Sequence, residues 1–196
     1  MRRTQQERSS STKADLVAAA RELFAARGYQ AVPADEIVRA AGVTRGALYH
    51  HYADKQGLFR AVVEDLEREI TADVDAAFSA APDPAGGMAA ALEVFLDACM
   101  RDDVRQISLT DAPAVLGWAN WREIEAEHGL GLLVDVLARG IEAGQLTPQP
   151  VRALAQLVLA AVMEAARMIA DADDPAAARA DAQQVLGTWF AALVRR

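Results

Sequence analysis

The sequence predicts an all-α protein: an N-terminal three-helix domain holding a tight helical pair, followed by a C-terminal helical bundle. Three observations carry this. Alanine is the commonest residue and aromatics make up only 6%, a composition that favours helix over sheet. Apolar residues recur at three- and four-residue spacing, and short runs that could pass for strands suit helices better. With 53% hydrophobic and 24% charged residues among 196, the chain can bury a substantial core. No uninterrupted apolar run approaches the roughly 18 uncharged residues that span a bilayer, and the N-terminus, MRRTQQERSSSTK, is polar, so a soluble, cytoplasmic protein is expected. The single cysteine, Cys99, cannot form an internal disulfide or by itself build a zinc site.

Residues 1–12 lack apolar periodicity and read as a flexible arm, whose Arg2, Arg3, Arg8 and Lys13 (with the next element) could reach a minor groove or simply stay solvated. Thr12 and Asp15 resemble a capping box, and Leu16, Ala19, Ala20, Leu23 and Phe24 form the stripe of a first helix that ends at Gly28. Pro33 suits the start of a second helix, with Ile37, Val38 and Ala41 apolar and Gly42 closing it. A third helix follows over Arg45 to His51 after only Val43 and Thr44, so the pair must cross steeply. Asp54 is placed to cap a fourth helix, with Leu58, Phe59, Val62, Leu66 and Ile70 at helical spacing to about Phe78. The Pro- and Gly-rich stretch 81–87 is the clearest interior break. Beyond it, helices are expected at about 88–101, 103–110, 113–143 (interrupted at Gly129 and Gly131), 150–172 and 175–194. The last two have wide alanine- and leucine-rich faces of the kind that belong inside an interface. The expected division is an arm 1–12, a small domain 13–53 and a larger one 54–196.

Charge divides the chain. Residues 1–60 carry ten Lys or Arg against six acids, net +4, which leaves −12 of the total −8 for the remainder. A basic end on an acidic body suits contact of that end with a polyanion. The stretch Ala34 to Tyr52, ADEIVRAAGVTRGALYHHY, has the layout of a helix-turn-helix. Ile37, Ala41, Val43, Leu48 and Tyr52 fall on the side that packs inward, which turns Arg45, Gly46, Tyr49 and His50 outward. Arg45 offers a fork for a guanine edge, and Gly46 lets backbone approach the bases. Tyr49 and His50 can donate to phosphates, the Thr44 hydroxyl can cap the helix or bond a phosphate, and Lys55 sits at a helix N-terminus that attracts anions. The adjacent His50 and His51, with Asp54 four residues after His50, could suggest a metal site, but neighbouring positions point apart on a helix and no Cys or other His is close, so neither a metal nor any other cofactor is expected.

The segment GVTRGALYHHYADKQGLF, with LFAARGYQAV upstream, closely resembles the DNA-binding signature of the TetR/AcrR family of bacterial transcriptional repressors, over about residues 12–62. The resemblance implies an all-helical homodimer whose three N-terminal helices bind DNA and whose C-terminal domain binds a small molecule. It also implies that Thr44, Arg45, Gly46, Ala47, Tyr49, His50 and Lys55 match DNA-contacting positions. Two departures stand out: Pro33 replaces a hydroxyl residue that usually caps the second helix, and Gly57 stands where an acidic residue is common. The segment DAPAVLGWANWREIEAEHGLGLL resembles one recurring subgroup of the family's C-terminal domains.

The function expected is a ligand-responsive repressor that binds a palindromic double-stranded operator as a dimer. Its copies would pair through the helices near 150–172 and 175–194, with Leu159 and Leu186 at that interface. Candidate effector-binding residues are Phe95, Met100, Ile107, Trp118, Trp121, Leu133, Met163 and Arg167, although the two tryptophans serve equally as core. Cys99, in an apolar run, reads as buried rather than redox-active, and His128 as a helix-surface or pocket residue. The rival function is a small-molecule binding or sequestering helical protein that no longer reads DNA. An enzyme is not expected, since no Walker loop, G-x-S-x-G, H-E-x-x-H or strand-borne G-x-G-x-x-G occurs.

Overall fold

In a computed structural model, which describes residues 5–195, the chain is helical throughout apart from short connections. The helices are α1 (Gln5–Ala31), α2 (Ala34–Ala40), α3 (Arg45–Tyr52), α4 (Lys55–Ala80), α5 (Pro84–Cys99), α6 (Ala112–Leu116), α7 (Trp118–Glu125), α8 (Gly131–Glu142), α9 (Val151–Asp171) and α10 (Pro175–Leu193). Two wide π-type segments, Val104–Asp111 and Ala126–Leu130, lead into α6 and α8. Among the described residues the β-type pairing is one antiparallel bridge, Leu146 with Val194.

Contacts divide the chain into two units, and the division is not a single cut. The first takes residues up to Leu66 together with Asp102–Trp121; the second takes Glu67–Arg101 and Arg122 onward. The expected boundary at 53/54 instead falls inside the first unit. Its fully buried core is Leu16, Ala20, Phe24, Val32, Ile37, Leu48, Leu58, Phe59 and Val62, the apolar stripes of α1 to α4. Polar groups of the inserted segment bind it to α1: the Arg21 guanidinium donates to Asp103 at 2.7 Å, and the Tyr29 N–H donates to the Asp111 carboxylate at 2.7 Å. The Gln56 amide also donates to the Val115 carbonyl, at 2.7 Å. None of these pairings, about 60 to 80 positions apart, has a local signature.

Three sequence expectations are corrected here, and a feature of α9 is added. Residues 5–12 are the first turns of α1 rather than an arm, because helix hydrogen bonding needs no apolar stripe once the following turns are anchored; Arg2 and Arg3 lie outside the described residues. α5 starts at Pro84, not residue 88, since Asp83 caps it by accepting the Gly86 N–H at 2.8 Å and proline is tolerated in the first turn. The long third C-terminal helix breaks at Gly117, whose φ of 81° leaves the helical region, whereas Gly129 and Gly131 stay within helical segments. Finally, α9 holds an 18-residue window of mean hydropathy 1.6, long and apolar enough by length and composition to cross a membrane; Glu164 and Arg167 interrupt it, and part of it is buried in its own unit.

In the second unit α5, α8, α9 and α10 pack around Met88, Leu137, Leu146 and Ala155. The exit of α10 is tied to the α8–α9 connection by the Thr147 N–H to the Leu193 carbonyl at 2.9 Å and by the Arg195 N–H to the Gln145 carbonyl at 2.8 Å.

The turn from α3 to α4 explains Gly57. Ala53 adopts φ 56°, Asp54 caps α4 by accepting the Gly57 N–H at 2.7 Å, and a Cβ on Gly57 would clash with the Tyr52 carbonyl oxygen. Gly57→Ala should therefore destabilise the chain by about 1–3 kcal/mol despite alanine's better helix propensity. A urea midpoint equal to or above the parent's would contradict this geometry.

Candidate DNA-binding surface and effector cavity

The helix α3 is held from below and free above. Leu48 and, on α2, Ile37 are fully buried, Ala41, Val43 and Tyr52 are half-buried, and the chain between the helices closes through the Val43 N–H to the Val38 carbonyl at 3.0 Å. The Thr44 hydroxyl oxygen caps α3 by accepting the Ala47 N–H at 3.3 Å. On the opposite side Thr44, Arg45, Gly46, Tyr49 and His50 are exposed, and Ala47 is half-buried. The Arg45 guanidinium lies 5.5 Å from the centre of the Tyr49 ring and donates to its hydroxyl at 3.3 Å. It also pairs with Asp35 at 3.1 Å, so the fork is held over the end of α2 and must exchange this exposed ion pair for any other partner. His51, behind His50, sits below its ordinary pKa because of partial burial and then the nearby positive charges of His50 and Lys13.

Lys55 differs from its neighbours. Its ammonium donates to the carbonyls of Tyr29 (2.9 Å) and Val32 (3.0 Å) and lies 3.8 Å from the centre of the Tyr29 ring. Burial lowers its pKa. The sequence reading had made it an anion contact at the helix start; here two of its N–H donors are engaged in holding the α1 exit, a role that spacing alone could not reveal. Pro33 is the residue before α2, with no side-chain cap; its carbonyl accepts the Glu36 N–H at 3.1 Å instead.

The second unit encloses a cavity of about 120 Å³ between the later turns of α4 and the helices α5, α8, α9 and α10. Of the expected effector residues, Phe95, Leu133 and Met163 line it and the other five do not. Ile107 and Trp121 are buried in the first unit, and Trp118 is 59% exposed at 4.8 Å from the Trp121 ring. Met100 is half-buried past the end of α5, and Arg167 is exposed, forked between Glu164 (2.6 Å) and Asp171 (3.1 Å). Large apolar type alone cannot say which interior a side chain enters. Cys99 is buried and its thiol pushed up to about 12 by desolvation, then by the charge of Glu67, as an inert cysteine should be.

The sequence reading missed Glu125. Only 2% of it is exposed, it lines the cavity, and its Oε2 accepts from Arg122 at a long 3.4 Å while Oε1 has no hydrogen-bond partner. Desolvation, then the charge of Glu67, raises its pKa to about 8 against the opposing pull of Arg122. An unsatisfied buried polar atom costs about 1–3 kcal/mol, so its presence at a cavity wall is informative. A signal existed: Glu125 follows Trp121 by four residues and adjoins Ile124, which puts an acid on a buried helical face.

Comparison with known proteins agrees with both halves. Residues 16–62 match the profile of bacterial regulatory proteins of the tetR family, and residues 85–193 match the tetracyclin repressor-like C-terminal domain. The transposon Tn10 TetC protein of Escherichia coli is 32% identical over 145 residues, 72% of each chain. A TetR-family transcriptional regulator of Pectobacterium atrosepticum, known as a crystal structure, is 32% identical, with 99% of both chains covered and a TM-score of 0.87. RolR crystallised with resorcinol shares the fold at a TM-score of 0.70 and 22% identity, over 97% of this chain and 90% of its own. Profiles matched at both ends, on a helix-turn-helix with an exposed second helix, establish that the chain belongs to the TetR family of bacterial transcriptional regulators.

Proposed function

We propose that two copies of this chain bind a roughly two-fold symmetric operator, each placing α3 in a major groove, and that a small molecule in the second unit's cavity weakens that binding. The observation that carries this is the exposed row Arg45, Gly46, Tyr49 and His50 on a helix whose underside is fully buried. Arg45 reads a base edge; Thr44, Tyr49 and His50 meet phosphates; Gly46 and Ala47 allow close approach. Lys55 holds the α1 exit in place and offers its remaining N–H to the backbone of the duplex. A repressor of this kind acts where bacterial DNA is, in the cytoplasm. The crystallised complex of RolR with resorcinol supports a small effector in this fold.

The dimer contact is drawn differently from the sequence reading. Leu159 and Leu186 are 8% and 4% exposed within one chain, and Leu159 lines the cavity, so neither is a clean interface probe. The outer faces of α9 and α10 instead show Leu157 (70%), Met168 (47%), Val185 (49%) and Trp189 (58%) among alanines. Exposed apolar side chains of this size on two adjacent helices are what a pairing surface requires, and they explain why α9 is so apolar. α4 belongs to both units as one continuous helix and is the lever by which effector binding favours a spacing of the α3 helices that the operator does not match.

Three outcomes are expected. Arg45→Ala should cost about 1–3 kcal/mol of discrimination at one base pair in mobility-shift titrations against operator variants. Unchanged selectivity would move the reading head elsewhere. Lys55→Ala should lower chain stability by about 1–3 kcal/mol, because it removes the Nζ donor to the Val32 carbonyl and leaves the Tyr29 carbonyl only the long 3.4 Å bond from the Val32 N–H, and should weaken all DNA binding with it; loss of DNA binding with an unaltered urea midpoint would restore a pure phosphate role. Trp189→Glu and Leu157→Glu should yield folded monomers by light scattering and circular dichroism, and a persisting dimer would place the interface on another face. A salt-sensitive specific band on the promoter beside the coding region separates this function from a DNA-blind sequestering protein.

A further inference from the structure

The cavity's one unsatisfied polar atom defines what can fill it. Its wall is built from apolar side chains such as Phe78, Leu92, Phe95, Val158 and Phe190, and the polar side chains that line it are Glu67, Thr71 and Glu125. Glu125 is 2% exposed, and its Oε1 is without a partner. The charged groups that act on it are Glu67 from α4 and Arg122 from its own helix; the side chains that line the cavity from α5, α8, α9 and α10 carry no charge. A site that keeps an unpartnered, buried carboxyl oxygen at an apolar wall discriminates strongly against molecules that cannot hydrogen-bond to it, because that oxygen then stays unpaired.

We propose that the effector is an apolar molecule of about one substituted ring that carries a hydrogen-bond donor, hydroxyl or amine, and that Glu125 receives this donor at Oε1. The inference rests on the reading of the chain as an effector-responsive regulator and names the chemistry of that effector. The size follows from the cavity: at about 120 Å³ it is somewhat smaller than an apolar protein cavity of roughly 150 Å³ that takes up benzene, which limits the buried part of the ligand to about one ring, and because the cavity is partly open a substituent can project from it. The sign of charge follows from the two carboxyl groups: a ligand carboxylate would enter beside Glu67 and Glu125 with no cation lining the cavity to receive it, whereas an ammonium would meet an ionised Glu125. Burial, then the charge of Glu67, raises the Glu125 pKa to about 8, so near neutral pH an ammonium ligand displaces a proton to solvent, whereas a phenol hydroxyl, which can donate and accept, pairs with the neutral carboxyl and displaces none.

Calorimetric titration of the full chain with four one-ring probes decides it: 4-ethylphenol, phenethylamine, ethylbenzene and 3-phenylpropionate. The parent should bind 4-ethylphenol, phenethylamine or both at least about ten-fold more tightly than ethylbenzene, with 3-phenylpropionate weakest. Proton release, read from the dependence of the heat on buffer, should accompany phenethylamine and be absent for 4-ethylphenol, which tells the two donor types apart. Glu125→Leu should abolish the preference for a donor. Glu125→Gln, of nearly the same shape, should keep 4-ethylphenol and lose phenethylamine, and it guards against a variant that merely repacks. Ethylbenzene bound as tightly as the donors, a preference that survives Glu125→Leu, or no binding of either donor probe would overturn the assignment. A mobility shift on the chain's own promoter runs in parallel: the operator band judges the regulator reading, and the probe ranking judges Glu125.

Discussion

One ammonium and one aromatic ring secure the geometry on which the DNA-facing surface depends. At Gly28, whose φ of 75° kinks α1, the chain begins the turn that leads into α2, and there the Tyr29 carbonyl has only a long bond from the Val32 N–H, at 3.4 Å. Lys55 Nζ donates to the carbonyls of Tyr29 and Val32 while lying against the Tyr29 ring. That ring in turn packs on Phe24 and Phe59 at 5.6 and 4.9 Å between centres, an edge-on cluster in which Phe24 and Phe59 are fully buried. α1, α2 and α4 are thereby fixed relative to one another within the first unit, and α3, pinned by Leu48, inherits its orientation. A recognition helix of only eight residues has no stability of its own. Its usefulness is borrowed from this support.

The second unit leaves a cavity and places a carboxyl group at its wall, against the ordinary preference for satisfied polar groups. Such an imperfection lowers the stability of the empty state and leaves room for a ligand to restore it, which is the thermodynamic requirement for a binding event that shifts a conformational balance. The outer faces of α9 and α10 show a second incompleteness, large apolar side chains turned to solvent. A single chain thus presents three distinct surfaces: a polar, partly cationic one on α3, a largely apolar cavity with an unpartnered carboxyl oxygen at its wall, and an open apolar one on the last two helices.

The inserted segment Asp102–Trp121 shows how polar contacts can decide domain membership. Asp103 and Asp111 each receive a donor from α1, and the segment's wide helical turns let Ile107 and Trp121 reach the first unit's interior. The aromatic pair Trp118 and Trp121 was an attractive pocket wall by residue type, and it stands instead in the other unit because these carboxylates carry its helix there.

By itself the sequence determined every feature whose cause lies within one or two helical turns: that the chain is helical, that α2 and α3 form a tight pair, and that 45, 46, 49 and 50 emerge together, since a 3.6-residue period and a buried Leu48 leave no other face. Only the tertiary structure decided what depends on partners far along the chain: that Lys55 is anchored to carbonyls more than twenty residues earlier, that Leu159 faces a cavity while Leu157 faces outward, and that Glu125 Oε1 is left without a partner at a largely apolar wall. Periodicity names the buried face of a helix. Which interior that face enters, and whether a group there finds a partner, is set by the helices packed against it.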